Sequence, residues 1–303
     1  MPTKTLIAIA GPTAIGKTAL SIAVAKTLQC PILSADSRQF FKEMTIGTAK
    51  PSQEEMQGVP HYFIDSHSIS EEYNVGKFET EAIALLETLF LKNNTIVLVG
   101  GSGLYIDAIC KGFDELPEAD PAVRKQIDTL FEAEGIEGLQ TLLKKSDPEY
   151  YNKVDLQNPQ RISRALEVCI STGDTYTRLR KGKIKKRNFN IIKIGLNTSR
   201  DMLYNRINAR VDEMMKRGLL EEVKELQANK QLNALQTVGY KELFDYLENK
   251  MDLNTAIELI KQNTRKFAKR QLTWFRRDEE IKWFEPAETE NIINYINQAL
   301  GST

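Results

Sequence analysis

Small residues, a lysine and a threonine stand at the spacing of a phosphate-binding loop in the segment GPTAIGKT, residues 11–18. The segment fits G-x-x-x-x-G-K-[ST] and lies between an apolar run and a helical pattern, the context that this loop requires. Gly11 and Gly16 let the backbone curl so that its N–H groups point inward, where the start of the helix adds partial positive charge. Lys17 supplies a charge to a terminal phosphate, and the Thr18 hydroxyl is placed for Mg²⁺. The loop predicts a site for a phosphate-bearing ligand with Mg²⁺.

The acidic partner of this loop is ambiguous. Proteins that hydrolyse nucleoside triphosphates with such a loop usually carry an acid at the end of a second strand, where it helps to hold magnesium. The apolar run TIVLV, residues 95–99, ends in glycines and a serine and offers no carboxylate. Asp36 follows the run PILSA, residues 31–35, and is a candidate for that acid or for a catalytic base. A turn or helix-capping aspartate is the structural alternative.

Apolar runs of strand length alternate with amphipathic helical patterns, which is typical of a parallel sheet with right-handed crossovers. Ligands bind such sheets at the carboxyl ends of the strands, so we expect Asp36 to face the phosphates across a short gap. The predicted strands are 6–10, 31–35, 62–65, 95–99, 191–196 and 281–284; the predicted helices are 17–28, 75–92, 199–249, 254–275 and 288–300.

The alternation of strand and helix patterns stops at a loop, residues 111–121. From there to Thr177 the sequence shows only helical patterns. The predicted fold class is therefore α/β, a P-loop parallel-sheet core with an inserted helical domain. The predicted domains are residues 1–114, the first part of the core; 115–188, the helical insertion; and 189–303, the rest of the core with C-terminal helices.

Composition restricts the class of protein. The formal net charge is zero, so any attraction to nucleic acid comes from local basic patches. The widely separated Cys30, Cys110 and Cys169 predict reduced core thiols. No segment approaches the ~20 apolar residues of a membrane span. We expect a cytoplasmic protein that makes no membrane contact and is a monomer, because nothing calls for a dimer.

Basic residues cluster near the C-terminal end of the predicted helix 254–275. Such a cluster either contacts RNA phosphates or forms a solvated helix face. Trp274, among the charges, is predicted to pack in the core. A second basic run, residues 178–187, is equally well an RNA contact or a surface linker. The clustered residues are Arg265, Lys266, Lys269, Arg270, Arg276 and Arg277.

The ordered set of motifs along nearly the whole chain resembles the tRNA dimethylallyltransferases, also called tRNA isopentenyltransferases. Each motif alone is modest, but the series in this order is specific. One departure is Ser102, where the family often has threonine; a hydroxyl is kept. The matching segments are GPTAIGKT, SADSRQFF, MTIGTAKP, GVPHYFID, VLVGGSGLYI, LPEADPAVR, NPQRISRALEV, VGYKE and KRQLTWFRR.

The resemblance implies that the loop binds dimethylallyl diphosphate with Mg²⁺, the metal being held at Thr18. It implies a catalytic role for Lys17, for Asp36 as the base that takes the N6 proton, and for Arg210, which binds the diphosphate. The implied diphosphate-binding residues are Gly11, Pro12, Thr13, Ala14, Ile15, Gly16, Lys17 and Thr18.

The resemblance also implies that the acceptor is N6 of the adenosine adjacent to the anticodon, position 37 of tRNA, flipped out of its stack. The helical insertion would clasp the anticodon stem-loop. The implied tRNA-binding residues are Asp36, Ser37, Arg38, Gln39, Ser102, Arg124, Asn158, Pro159, Gln160, Arg161, Gln236, Val238, Gly239, Tyr240, Lys241, Lys269, Arg270 and Arg276.

Two other functions share some of these features. A P-loop small-molecule or nucleoside kinase has the same loop, lysine and parallel core, and would turn over ATP. A nucleotide-gated RNA-binding switch has the loop and the basic helix but no chemistry. The loop pattern does not distinguish one diphosphate from another, so ATP binding is left open.

Overall fold

The computed structural model describes residues 3–114, 116, 120–182 and 184–301. Its sheet has six parallel strands in the order β3-β2-β4-β1-β5-β6. This confirms the predicted α/β class. The strands are β1 (Thr5–Ala10), β2 (Ile32–Ser34), β3 (His61–Tyr62), β4 (Thr95–Gly100), β5 (Asn190–Leu196) and β6 (Lys282–Phe284).

Helices connect the strands and fill both sides of the sheet. Two short 3-10 turns, Gln227–Asn229 and Asn233–Leu235, precede the helix that begins at Tyr240. The helices are α1 (Lys17–Leu28), α2 (Gln53–Met56), α3 (Val75–Leu89), α4 (Gly103–Cys110), α5 (Pro121–Ser146), α6 (Pro148–Tyr151), α7 (Pro159–Thr172), α8 (Tyr176–Leu179), α9 (Arg200–Lys216), α10 (Leu219–Glu225), α11 (Tyr240–Leu247), α12 (Leu253–Phe275) and α13 (Thr289–Gly301).

The chain forms two compact units. The first, which we call the core unit, comprises residues up to Lys111 and from Arg187 onward, and the second, the helical unit, is Gly112–Lys186. The core unit holds the whole sheet, and the helical unit holds α5 to α8.

Strand β1 is buried along its entire length, and its side chains alternate between two hydrophobic clusters. Leu6, Ala8 and Ala10 join the cluster that also takes residues from α3, α4, α11 and α12. Ile7 and Ile9 join the cluster that takes residues from α1, α9 and α13. Burial on both faces explains why the sequence here is a continuous apolar run. The phosphate loop therefore begins directly after a strand that lies in the centre of the core.

The helical unit has a small core of its own, formed mainly by α5 and α7 with Val123, Leu139 and Ile162 among its members. Gly135 interrupts α5 with a left-handed φ of 65°. Asp147 is buried and accepts hydrogen bonds from the Thr177 N–H and hydroxyl at 2.7 and 3.0 Å, which ties α6 to α8.

Three sequence predictions differ from the structure. The predicted helix 199–249 is broken at Gly218 and Gly239, whose φ angles of 96° and 97° suit glycine and stop a helix. Strand β3 is only two residues long. Helix α4 was not predicted, because it is short and apolar and shows no clear helical period.

Candidate active site

The phosphate loop connects β1 to α1 at the carboxyl edge of the sheet. Gly16 has a φ of 106°, which a residue with a Cβ rarely adopts, and α1 begins directly after it. The Lys17 Nζ donates to the Pro12 carbonyl oxygen at 2.8 Å, so its amine is folded back over the loop. This is the arrangement in which backbone N–H groups and one ammonium surround an anion.

Helix α9 brings two arginines to this loop. The Arg210 Nη1 donates to the Thr13 hydroxyl at 3.2 Å, and the Arg206 Nη1 donates to the Ile15 carbonyl at 3.0 Å. Burial lowers the pKa of Arg210, and the nearby Asp36 carboxylate opposes that effect. The sequence places Arg210 almost two hundred positions after Thr13, and the fold brings the two into contact.

The charge of Asp36 acts on each of three cations around it. The pKa of Lys17 is lowered to about 7, chiefly by burial; the Asp36 carboxylate opposes this shift and Arg210 adds to it. The same carboxylate raises the pKa of Arg210 and of Arg38, both lowered overall by burial. Asp36 therefore lies close enough to the phosphate site for its charge to act on Lys17 and Arg210.

Two serines hold the Asp36 segment against the end of β4. The Ser37 N–H donates to the Ser102 hydroxyl oxygen at 3.0 Å, and the Ser102 hydroxyl donates to the Ser37 hydroxyl at 3.0 Å. The Arg38 N–H donates to Asp36 Oδ1 at 3.0 Å, which fixes the carboxylate orientation. Ser102 thus lies beside Asp36, next to the predicted position of the acceptor base.

Arg38 donates to two carbonyl oxygens, that of Ser37 at 3.1 Å and that of Asn233 at 3.3 Å. Its Nε is buried and has no hydrogen-bond partner among the described residues. A buried N–H without a partner costs free energy, so this donor is available to a bound ligand. Gln39 is different: its amide donates to the carbonyls of Thr48 and Ala49 at 3.2 Å and accepts from Ser34, so this side chain is engaged internally.

The loop of residues 44–50 is held by a carboxylate from helix α10. The Glu222 carboxylate accepts from the N–H groups of Thr45, Ile46 and Gly47 at 3.0, 2.7 and 3.0 Å. Lys50 is buried and paired with Asp65, so it is not a phosphate contact. The polar groups of this loop are therefore used mainly to hold its own conformation.

Tyr240 completes this anchor. Its hydroxyl donates to Glu222 at 2.6 Å, and its side chain has no exposed surface. The Tyr240 side chain is therefore used to hold the loop of residues 44–50. Of its predicted companions, Gly239 is buried, Val238 half-buried, and Gln236 and Lys241 exposed.

Replacement of Gly47 by alanine should destabilise the protein. A Cβ there would lie 2.5 Å from the Tyr240 ring, which is itself fixed by Glu222. Overpacking of this kind costs about 1–3 kcal/mol. Urea denaturation measures the loss; Gly301→Ala, where a Cβ meets nothing within 4 Å, is the matched control. An unchanged midpoint for Gly47→Ala would mean that the Tyr240 ring moves freely.

Helix α12 presents one basic face and one buried face. Lys269, Arg270 and Arg276 are exposed, and none forms an ion pair among the described residues. Trp274 is half-buried, packs against the core and donates from Nε1 to Asp107 at 2.8 Å, as its predicted core role requires.

The predicted contacts of the helical unit lie mainly at the start of α7. Asn158 caps this helix by accepting from the Arg161 N–H at 3.2 Å, and Pro159 takes the first helical position. Gln160 and Arg161 are exposed. Arg124 pairs with the buried Glu167 at 3.0 Å. Part of the LPEADPAVR motif, residues 117–119, lies outside the described residues, as does Lys183 of the basic run.

Arg187, the last residue of that basic run, is bonded within the core unit. It pairs with Glu79 at 2.8 Å and donates to the Ile109 carbonyl at 2.8 Å, with little exposed surface. The rest of the described run is mostly exposed.

Sequence reasoning missed three residues that shape the site: Arg206, Glu222 and Gln271. Gln271 is buried and accepts from the Thr13 N–H at 2.9 Å. It lies within KRQLTWFRR, so the motif contained it, but no local pattern distinguishes a buried amide in a helix from an exposed one. Glu222 and Arg206 carried no signal.

The loop also fits a magnesium ion. The Thr18 hydroxyl makes no hydrogen bond to any described residue, and it stands at the start of α1, where phosphate oxygens would complete the coordination. Within the same part of the chain, no group of three or more histidine, cysteine or acidic residues could hold a metal ion. The cysteines are free and buried, as predicted.

No described helix is both long and apolar enough to cross a bilayer.

A family model described as IPP transferase matches residues 39–278. The tRNA dimethylallyltransferase of Flavobacterium johnsoniae is 56% identical over 307 residues, which covers 99% of each chain. That of Christiangramia forsetii is 54% identical and covers 98% of this chain and 99% of the relative.

Solved structures agree with these sequence comparisons. The full-length tRNA isopentenylpyrophosphate transferase of Bacillus halodurans matches with a TM-score of 0.73 and 37% identity, covering 99% of this chain and 97% of that one. A eukaryotic dimethylallyltransferase, described as acting on tRNA, matches with a TM-score of 0.77 and 28% identity over 94% of this chain and 74% of that one.

Proposed function

The chain belongs to the IPP transferase family, and from that premise we propose that it transfers the dimethylallyl group of dimethylallyl diphosphate to N6 of the adenosine adjacent to the anticodon, position 37 of tRNA, releasing diphosphate. The observation that carries this proposal is Asp36, whose charge acts on Lys17 and Arg210 of the phosphate site and whose carboxylate accepts from the Arg38 N–H, while the next residue, Ser37, is bonded to Ser102. A base and an anion site thus lie together.

The phosphate loop binds the leaving group. As the allylic C–O bond breaks, its electron pair remains on the diphosphate, where negative charge increases. Lys17 and Arg210 neutralise that charge, and the loop N–H groups orient the oxygens. Mg²⁺, held at Thr18 and by the diphosphate, supplies further neutralisation when bound.

Asp36 serves the other reactant. The N6 amine is a weak nucleophile because its lone pair is delocalised into the adenine ring. It forms the new bond to the allylic carbon and gives up a proton, which the Asp36 carboxylate accepts. Arg38 Nε, which is buried and has no hydrogen-bond partner in the described part of the chain, offers a donor to the base or ribose held there. Positioning contributes as much as proton transfer, since both reactants are held.

The proposed RNA contacts have two parts. In the core unit they are the exposed Lys269, Arg270 and Arg276 with Lys241, which would meet phosphates. In the helical unit they are Gln160, Arg161 and Arg124. The acceptor being tRNA, we propose a cytoplasmic location and a monomeric enzyme.

The kinase interpretation is not retained, because the matched relatives are named as dimethylallyltransferases over their full length. The deciding assay incubates the protein with Mg²⁺, radiolabelled dimethylallyl diphosphate and unmodified tRNA, with ATP and a small acceptor in parallel. We expect label in tRNA, at the adenosine beside the anticodon. ATP consumption without label in tRNA would overturn the proposal and support a kinase.

Diphosphate binding should take up a proton at pH 8. The Lys17 pKa of about 7 leaves this amine mostly neutral at that pH in the free protein, and a bound anion recharges it. Close to one proton per site should enter, and affinity should fall as pH rises above 7. Calorimetric titration of pyrophosphate with Mg²⁺ in two buffers of different ionisation enthalpy measures this uptake.

The control for this titration is Lys17→Arg, because an arginine stays charged at pH 8. Proton changes of the pyrophosphate itself occur with both proteins and cancel in the difference. Equal uptake by wild type and variant would show that Lys17 does not titrate on binding.

Removal of two exposed cations of α12, Lys269→Gln with Arg270→Gln, should weaken tRNA binding at low salt. Each phosphate contact contributes a little under one unit to the slope of log affinity against log salt, so the slope should fall by about one to two units. Pyrophosphate affinity should not change. Filter binding across a salt series measures the slope.

The matched control pair is Lys4→Gln with Lys92→Gln, both exposed at the amino-terminal edge of the sheet, opposite the ligand edge. An equal loss of slope in both double variants would indicate a non-specific charge effect.

A further inference from the structure

Gln271 lies on the buried face of α12, one residue after the exposed Arg270. Its side-chain amide spans two loops of the site. The Oε1 accepts from the Thr13 N–H of the phosphate loop at 2.9 Å, and the Nε2 donates to the Gly101 carbonyl oxygen at 2.8 Å. One buried side chain therefore uses both of its polar ends to join the turn after β1 to the turn after β4.

The glycines of the turn after β4 are shaped by this helix. A Cβ at Gly101 would lie 2.5 Å from Gln271 Nε2, and one at Gly103 would lie 2.3 Å from the Trp274 ring. Gln271 and Trp274 are one helical turn apart and face the same way. The turn therefore needs glycine on either side of Ser102 because two side chains of α12 press against it.

Ser102 lies between Gly101 and Gly103 and binds Ser37, the residue after the proposed catalytic base Asp36. Its hydroxyl accepts from the Ser37 N–H at 3.0 Å. A continuous set of bonded contacts therefore runs from Thr13 in the phosphate loop, through Gln271 and the turn, to the Asp36 segment. Gln271 is the central member of this set.

We propose that Gln271 is a positioning residue that fixes the phosphate loop relative to Asp36, and thereby sets the distance between the allylic carbon and the base. This inference rests on the proposed function for the reaction itself, but not for its effect on the phosphate loop. Gln271 touches no reacting atom; it acts through Thr13 and Gly101. A misplacement of about 1 Å between reactants can cost about a hundredfold in rate.

The test is Gln271→Met, which keeps most of the side-chain volume and removes both hydrogen bonds. We expect kcat to fall about ten- to a hundredfold and pyrophosphate affinity, measured with Mg²⁺ by calorimetry, to fall about five- to tenfold. The tRNA affinity should stay within about twofold. Gln262→Met, the same change at an exposed position of the same helix, is the matched control and should alter none of these values.

A second variant tests the contact from the other side. Gly101→Ala should push the Gln271 side-chain amide away, because the new Cβ of the alanine would lie too close to Gln271 Nε2. It should weaken pyrophosphate binding in the wild-type background but have little further effect in Gln271→Ala, where nothing remains to be displaced. Such non-additivity is the signature of a direct contact.

Two results would overturn the inference. In the first, Gln271→Met keeps pyrophosphate affinity and kcat within about twofold of wild type. In the second, pyrophosphate affinity, tRNA affinity and the melting temperature all fall together, which a merely structural role produces. The pyrophosphate measurement needs no turnover, so a wild-type protein that failed to prenylate tRNA would reject the proposed function and still leave this contact testable.

Discussion

Asp36→Asn should reduce prenyl transfer to tRNA by two to four orders of magnitude while leaving both substrates bound. An asparagine keeps the size of the side chain and its acceptor for the Arg38 N–H, but it cannot take the N6 proton. A positioned general base typically contributes about 10²–10⁴-fold. Single-turnover transfer from dimethylallyl diphosphate, with enzyme in excess over tRNA, measures the chemical step directly.

The binding measurements decide what the rate loss means. Asp36 raises the pKa of Lys17, so its neutral replacement should lower that pKa further and weaken pyrophosphate binding modestly at pH 8 but little at pH 6. Affinity for tRNA should be nearly unchanged. Ser70→Ala, an exposed position outside the site, is the control for handling of the variants. Retention of full transfer by Asp36→Asn would remove Asp36 as the base.

The phosphate loop and its strand could be predicted from sequence because their determinants are local. Residues 11–18 hold the spacing that the loop geometry needs, and the preceding run is apolar because β1 is buried on both faces. The position of Asp36 could also be predicted, because a parallel sheet places the end of β2 at the edge where ligands bind. Its role as a base is one of several that its position allows, and it stays a prediction.

The contacts around the loop could not be predicted in this way. Thr13 and Gln271 are separated by 258 positions, and Thr13 and Arg210 by 197. No periodicity or spacing joins residues so far apart; only the resemblance indicated Arg210. Gln39 is a further example, since no sequence pattern shows that its side-chain amide bonds to the loop of residues 44–50.

Tyr240 and Glu222 show why a family motif does not distinguish contact from support. Tyr240 belongs to VGYKE, but its hydroxyl serves the Glu222 carboxylate, which in turn holds three consecutive backbone N–H groups. Position in a motif is compatible with a structural role when the residue holds a neighbouring segment in place. Burial of the side chain favours the supporting role, and the sequence at this position does not show that the side chain is buried.

Arg210→Gln should lower kcat about a hundredfold and weaken pyrophosphate binding, because the diphosphate loses a half-buried cation where charge develops on the leaving group. Loss of one such preorganised donor typically costs about 10²–10³-fold in rate. The variant also loses the bond to the Thr13 hydroxyl. Arg217→Gln, on an exposed residue at the end of the same helix, is the matched control and should be close to wild type.

The pH dependence of this deficit is the sharper test. Arg210 lowers the pKa of Lys17, so its removal should raise that pKa and leave Lys17 better protonated at high pH. Wild type must recharge Lys17 to bind an anion above pH 7, whereas the variant has less to recharge. The difference in pyrophosphate affinity between the two proteins should therefore shrink from pH 6 to pH 8.5. A difference that stays constant or grows would show that Arg210 and Lys17 do not share the bound diphosphate, and that Arg210 acts only by holding Thr13.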